Sequence, residues 1–86
     1  MFSSNKEFFE FINSIIKKLE SIGETQWSTE FSDAIQISFM PGEIFGAIRI
    51  TLKKFQKTEF PAKLGIEKEI TDTVNSLDKI LDPNNR

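Results

Sequence analysis

The stretch SFMPGEIFGAIRITLKKF, Ser38–Phe55, decides the fold class of this chain. Within it AIRITL, residues 47–52, places Ile48, Ile50 and Leu52 at alternate positions, the pattern of a strand with one face buried. The same residues also fit a helix, because Ile44, Ile48, Leu52 and Phe55 recur at three- and four-residue spacing, with Phe45 alongside. No hairpin turn accompanies the alternation. Pro41-Gly42 forms a break just before it, and Pro41 is also suited to the first turn of a helix, where its missing N–H costs nothing. The helical reading is the better one, over about 42–57.

The segments on either side carry the same period. Ser4 and Glu7 have the spacing of a capping box, in which two side chains satisfy free amides at a helix start. Phe8, Ile12, Ile15, Ile16, Leu19 and Ile22 then form one stripe, with Phe9 and Phe11 at its edges, and Gly23 supplies a left-handed stop. A second helix is expected over 25–39, capped by Glu24 or Thr25. Trp27, Phe31, Ala34, Ile35 and Ser38 would share its face. It ends near Phe39, because Pro41 disfavours helical geometry in the residue before it. Lys57–Lys63 (KTEFPAK) reads as a linker in which Phe60 fills a gap between helices. A fourth helix over 65–82 carries Ile66, Ile70, Val74, Leu77 and Leu81, stopped by Asp82-Pro83, with 83–86 frayed. The predicted architecture is all-α: a compact bundle of four short amphipathic helices, about 4–22, 25–39, 42–57 and 65–82, in one domain spanning 1–86.

Composition narrows the function classes. The 86 residues suffice for one core, and 38% hydrophobic against 28% charged is a globular balance, not a disordered one. No apolar run approaches the roughly 20 residues a membrane span needs, and Met1–Phe9 has no basic start ahead of an apolar block, so it is not read as a secretion signal. There is no Cys, which suits a cytoplasmic protein. There is no His, which removes the commonest general base, the Ser–His and Cys–His nucleophile systems and most transition-metal sites. The carboxylate pairs Glu30/Asp33 and Glu69/Asp72 could serve acid–base chemistry or hold Mg²⁺, but each falls on a polar face with no partner motif and reads as solvated surface. No phosphate loop, nucleophile elbow or metal spacing is present. The expectation is a protein with no enzymatic activity, no cofactor and no metal.

Charge is unevenly spread. Residues 1–46 carry three basic and seven acidic groups, 47–68 six and two, and 69–86 two and four, summing to −2. The acids Glu24, Glu30, Asp33 and Glu43 surround the second helix and the turn after it, beside Trp27 and Phe39. This acidic and aromatic rim suits docking to a basic protein. Trp27 is expected to be half-buried, with its indole N–H on a backbone carbonyl. A second candidate surface lies on the back of the third helix, where Ile50 points about 240° from Ile44. Gly46 is one turn before it, and Lys53, Lys54 and Lys57 flank that side. A helical glycine costs about 1 kcal/mol against alanine, so a packing reason is expected. Contact with another helix of the same domain is the preferred one, and a self-association patch, giving a homodimer, the other. The basic segment Arg49, Lys53, Lys54, Lys57, Lys63 and Lys68 could bind nucleic acid only weakly, because the chain is acidic overall and lacks a recognition helix.

GETQWSTEFSDAI followed by PGEIFGAIRITLKKF resembles small helical bacterial proteins with a Gly-Glu-x-x-Trp start and a Glu-Ile-x-Gly-x-x-Arg helix, specifically immunity proteins of toxin–immunity pairs of the contact-dependent growth inhibition type. The likeness covers Gly23–Phe55 and rests on Gly23, Glu24, Trp27, Pro41, Glu43, Ile44, Gly46, Arg49 and Leu52. It implies a cytoplasmic protein that binds a cognate toxin domain and occludes its active site. A self-associating structural or regulatory module is the alternative expectation.

Overall fold

A computed structural model describes residues 5–82. The Ser4 half of the expected capping box and the expected fraying of 83–86 lie outside them. Five helices follow one another: α1 Asn5–Ser21, α2 Thr25–Ile35, α3 Pro41–Phe55, the single turn α4 Phe60–Lys63, and α5 Glu67–Leu81. The disputed stretch is helical, and there is no strand among the described residues. α1 packs on α2, α2 on α3, and α3 on α5, with α4 resting on α5. The four long helices form an all-α bundle. Ring contacts show which ends meet: Phe8 and Phe9 of α1 reach Phe45 near the start of α3, while Trp27 near the start of α2 reaches Phe55 at the end of α3.

Most of each stripe read from the sequence forms the core, with Ile16, Ile35 and Leu81 at its margin, but Ile22, past the end of α1, is 48% exposed and is no part of it. Ile12, Ile15, Leu19, Phe31, Ile48, Leu52, Phe55 and Ile70 have no solvent exposure at all. At about 25 cal/mol per Å² of apolar area removed from water, such side chains are the main favourable contribution to folding. Phe31 and Phe55 meet edge to face at 5.2 Å, an arrangement that places a positive ring edge on a negative ring face. Three polar residues are also buried, and each hydroxyl donates to a backbone carbonyl of the preceding turn: Ser28 to Thr25 at 3.0 Å, Thr51 to Ala47 at 3.0 Å, and Thr73 to Glu69 at 2.7 Å. None therefore carries an unsatisfied group into the core.

Helix ends follow from local chemistry. Gly23, at φ 78°, ends α1 as expected: its N–H reaches Glu20 O at 3.1 Å and the Glu24 N–H reaches Leu19 O at 2.9 Å. Those two bonds make a Schellman cap. Glu24 is the N-cap of α2, yet neither it nor Thr25 makes a side-chain cap bond.

Three expectations need correction. α2 ends at Ile35, not near 39. The Gln36 N–H is shared between Ser32 O and Asp33 O, and Met40 is extended at φ −96°, ψ 119° ahead of Pro41. The proline ring forbids a helical Met40 and would clash with the carbonyl of Ile37, so the chain leaves the helix early. Ser38 is thus no part of the α2 face. Its Oγ instead accepts the Met40 N–H at 3.0 Å. α3 accordingly starts at Pro41 itself, the proline occupying the first turn.

The expected linker contains α4. Thr58 Oγ1 accepts the Phe60 N–H at 3.3 Å, Pro61 opens the turn, and Gly65 at φ 69° closes it, so α5 begins at Glu67 rather than 65. Phe60 is half-buried and stacks on Phe55 at 6.2 Å, filling the gap expected of it.

The third correction concerns Gly46. Beyond the backbone of its own helix, no atom of the described residues lies within 4 Å of where its Cβ would stand, and Ile50 is 58% exposed. The expected contact with another helix of the domain is therefore not made.

Candidate docking surface

With the helices placed, the six acidic and aromatic candidates separate along α2. Glu24 and Trp27 lie at its start, Glu30 is half-buried near its middle, and Asp33 is exposed on its last turn. At about 1.5 Å per residue, Glu24 and Asp33 are roughly 13 Å apart along the axis. Phe39 and Glu43 belong to the corner after α2, near Asp33 and away from Trp27.

The Trp27 end is packed. Its half-buried ring sits 6.4 Å from Phe31 and 5.2 Å from Phe55. No hydrogen bond ties its indole N–H among the described residues, and no buried side-chain N or O there is left unsatisfied, so the N–H faces solvent and not the expected carbonyl. Beside it Lys63 spans Phe60 at 5.7 Å and pairs with Glu59 at 2.9 Å. The hydrogen bond and charge of Glu59, with a smaller contribution from Glu24, hold the Lys63 ammonium above its usual pKa. The same hydrogen bond holds Glu59 below the usual carboxylate range. Glu24 thus contributes to the electrostatic environment of a cation of its own chain without pairing with it.

The corner between α2 and α3 is open. Phe39 is 104% exposed, and Ile37 and Met40, at 64% and 62%, stand on either side of it. Three large, mostly exposed apolar side chains within four successive positions differ from the single exposed hydrophobics any surface carries. Asp33 on one side and Glu43 on the other are both exposed, giving an apolar knob between two carboxylates. Reasoning from sequence singled out Phe39 but missed Ile37 and Met40. The signal was Pro41, whose effect on the preceding turn strips these residues of a helix face.

Basic candidates are largely occupied. Arg49 donates to Asp78 at 3.2 Å and to Asp82, bridging α3 to the last turn of α5 and the residue after it. The Asp82 hydrogen bond is the main cause holding the guanidinium pKa above its ordinary value, against an opposing effect of desolvation. Lys53 joins the network through Asp78 at 3.2 Å. With Lys63 also paired, three of the six cations proposed for nucleic acid are engaged within the fold; Lys54, Lys57 and Lys68 form no ion pair among the described residues. This network was also missed: Asp78 and Asp82, one turn apart, are a matched pair of acceptors for Arg49. Gly46, Ile50, Lys53 and Lys54 lie on the outer side of α3, opposite Ile48, Leu52 and Phe55, and Lys57 lies in the turn after the helix.

Elsewhere, Phe11 of α1 and Glu69, Asp72, Thr73, Asn75, Ser76 and Lys79 of α5 line an open groove of about 550 Å³ with charges of both signs. Among the described residues no three acidic side chains converge as a metal site, and no helix is long and apolar enough to cross a membrane. No protein-family model, curated protein or solved structure matches the chain.

Proposed function

We propose that this is a non-enzymatic binding protein that docks through the corner between α2 and α3, and that it acts as an immunity protein, occluding the active domain of a cognate bacterial toxin in the cytoplasm. The observation carrying the docking reading is the complete exposure of Phe39, with Ile37 and Met40 beside it. An aromatic side chain buries 150–250 Å² when it enters a pocket. At about 25 cal/mol per Å² that is roughly 4–6 kcal/mol before the costs of association, enough for one anchor to dominate an interface. Asp33 and Glu43 at the rim favour a partner with cations around that pocket, and Glu30 extends the negative side along α2. Rim charges mainly speed encounter and reject wrong partners. A toxin whose catalytic cleft is basic, as one acting on a polyanion would be, supplies both features. The immunity reading adds to this surface the likeness of Gly23–Phe55 to helical immunity proteins.

Co-expression with the product of the adjacent upstream gene tests the proposal. The expected result is a stable complex and protected cells, both lost in Phe39→Ser. An upstream gene that encodes no toxin, together with no gain in protection, overturns the immunity reading. A complex that forms equally well with Phe39→Ser overturns the placement of the surface.

A further inference from the structure

Apart from the Lys53–Asp78 ion pair, the outer face of α3 is largely exposed among the described residues, and its residues have a symmetry of their own. Glu43, Gly46, Ile50 and Lys53 follow at alternating three- and four-residue steps, the spacing of a seam along one side of a helix, with Lys57 in the turn just past its end. Glu43, Ile50, Lys53 and Lys57 are exposed, and Gly46 is a notch whose Cβ position has nothing within 4 Å. Gly46 and Ile50 each lie two residues from Ile48, and Glu43 and Lys53 each lie five from it. A two-fold axis passing behind Ile48 would run two copies of α3 antiparallel. It would seat each Ile50 in the other copy's Gly46 notch and set each Glu43 opposite a Lys53.

We infer that the protein associates with a second copy of itself through this face, as an antiparallel α3–α3 pair. The occupant follows from charge complementarity. α3 is acidic at its start, with Glu43, and basic at its end, with Lys53 and Lys54. A parallel copy would oppose like charges, whereas an antiparallel copy opposes unlike ones at both ends. In a closed two-fold contact each favourable pair is made twice. Lys53 already pairs with Asp78, but its side chain is 50% exposed and its ammonium has three N–H groups, so it can reach a second carboxylate. Gly46, whose Cβ position is clear of neighbours, lets the two helix backbones approach closely. A contact between single helices of 15 residues stays near or below the roughly 1,000 Å² of a stable interface. The association is therefore weak, reversible and sensitive to salt.

Sedimentation velocity on the isolated protein, from micromolar to millimolar concentration, tests this. The mass-average should rise from 9.9 kDa towards twice that value at low salt and fall back at high salt. Gly46→Leu fills the notch from a Cβ position clear of neighbours and should stay monomeric, as should Ile50→Ser. Glu43→Lys alone should stay monomeric, and combined with Lys53→Glu it should associate again, because the swap restores opposite charges; circular dichroism confirms that each variant is folded. Phe39→Ser should associate as the parent does. A parent that remains monomeric at millimolar concentration overturns the inference. So does association that survives Gly46→Leu, or that Phe39→Ser abolishes. None of these outcomes touches the toxin complex, which is read separately through its own dependence on Phe39.

Discussion

Replacing Gly46 by alanine should stabilise the folded chain, and the same replacement at Gly23 should destabilise it. Gly46 lies mid-helix, where glycine is roughly 0.8–1.0 kcal/mol less favourable than alanine because its unfolded ensemble is broader. An added Cβ at Gly46 meets nothing within 4 Å, so no steric penalty offsets that gain. For a domain of this size 1 kcal/mol moves the melting temperature by about 4–8 °C, so Gly46→Ala should melt several degrees higher. Gly23 has equally free surroundings but sits at φ 78°. There an L side chain costs about 1–2 kcal/mol, and the melt should shift down by a similar interval. Thermal unfolding followed by circular dichroism, at micromolar concentration where the monomer dominates, reads both shifts, and urea midpoints at unchanged slope confirm them. A neutral or negative result at Gly46 would refute the reasoning. It would mean that the glycine answers to a close contact within the domain, the very contact the structure shows to be missing.

Other expectations concern the core, the ion network and the corner. Phe55→Ala removes the ring on which Trp27, Phe31 and Phe60 converge. The expected loss of about 3–5 kcal/mol takes most of the stability of so small a domain, measured by urea unfolding. Arg49→Ala leaves Asp82 without its cation and should lower the melting temperature more than Lys54→Ala does, by a margin that shrinks in high salt. Equal effects would show that the bridge to α5 contributes nothing. Because Lys63 depresses the Glu59 pKa, the pair's small contribution is present above the unfolded carboxylate value and lost as pH falls through the folded one. A carboxyl titration by NMR should place Glu59 below an ordinary glutamate and return it there in Lys63→Met. Phe39→Ser should leave stability within about 0.5 kcal/mol of the parent, as expected for a side chain that contacts nothing, while improving solubility at high concentration.

The two surfaces on α3 illustrate how one short break serves both. Ending α2 at Ile35 leaves Ile37, Phe39 and Met40 exposed and lets α3 begin at Pro41. That early start brings Glu43 into the first turn, where a carboxylate is favoured by the helix dipole. The same carboxylate is the acidic end of the self-complementary seam.

Periodicity alone determined that this chain is helical, which faces are buried, and where glycine stops the first helix. These are local properties: a repeat of three and four residues buries one side wherever the helix goes, and a left-handed cap needs only its own backbone. Ile12, Ile48, Leu52 and Ile70 could therefore be assigned to the core without knowing their neighbours. Tertiary structure decided what depends on residues far apart in the chain. Arg49 is absorbed by Asp78 and Asp82 because α3 and α5 are adjacent, which no spacing reveals. Gly46 and Ile50 are left uncovered because, among the described residues, no helix crosses that part of α3. The corner at Phe39 was half legible, since Pro41 announced a break but not its depth. Its depth depends on where the α2 backbone loses the hydrogen bonds that would have carried it on, and that was settled only when the proline stood at the head of α3 with Ile37 to Met40 outside the packed layer.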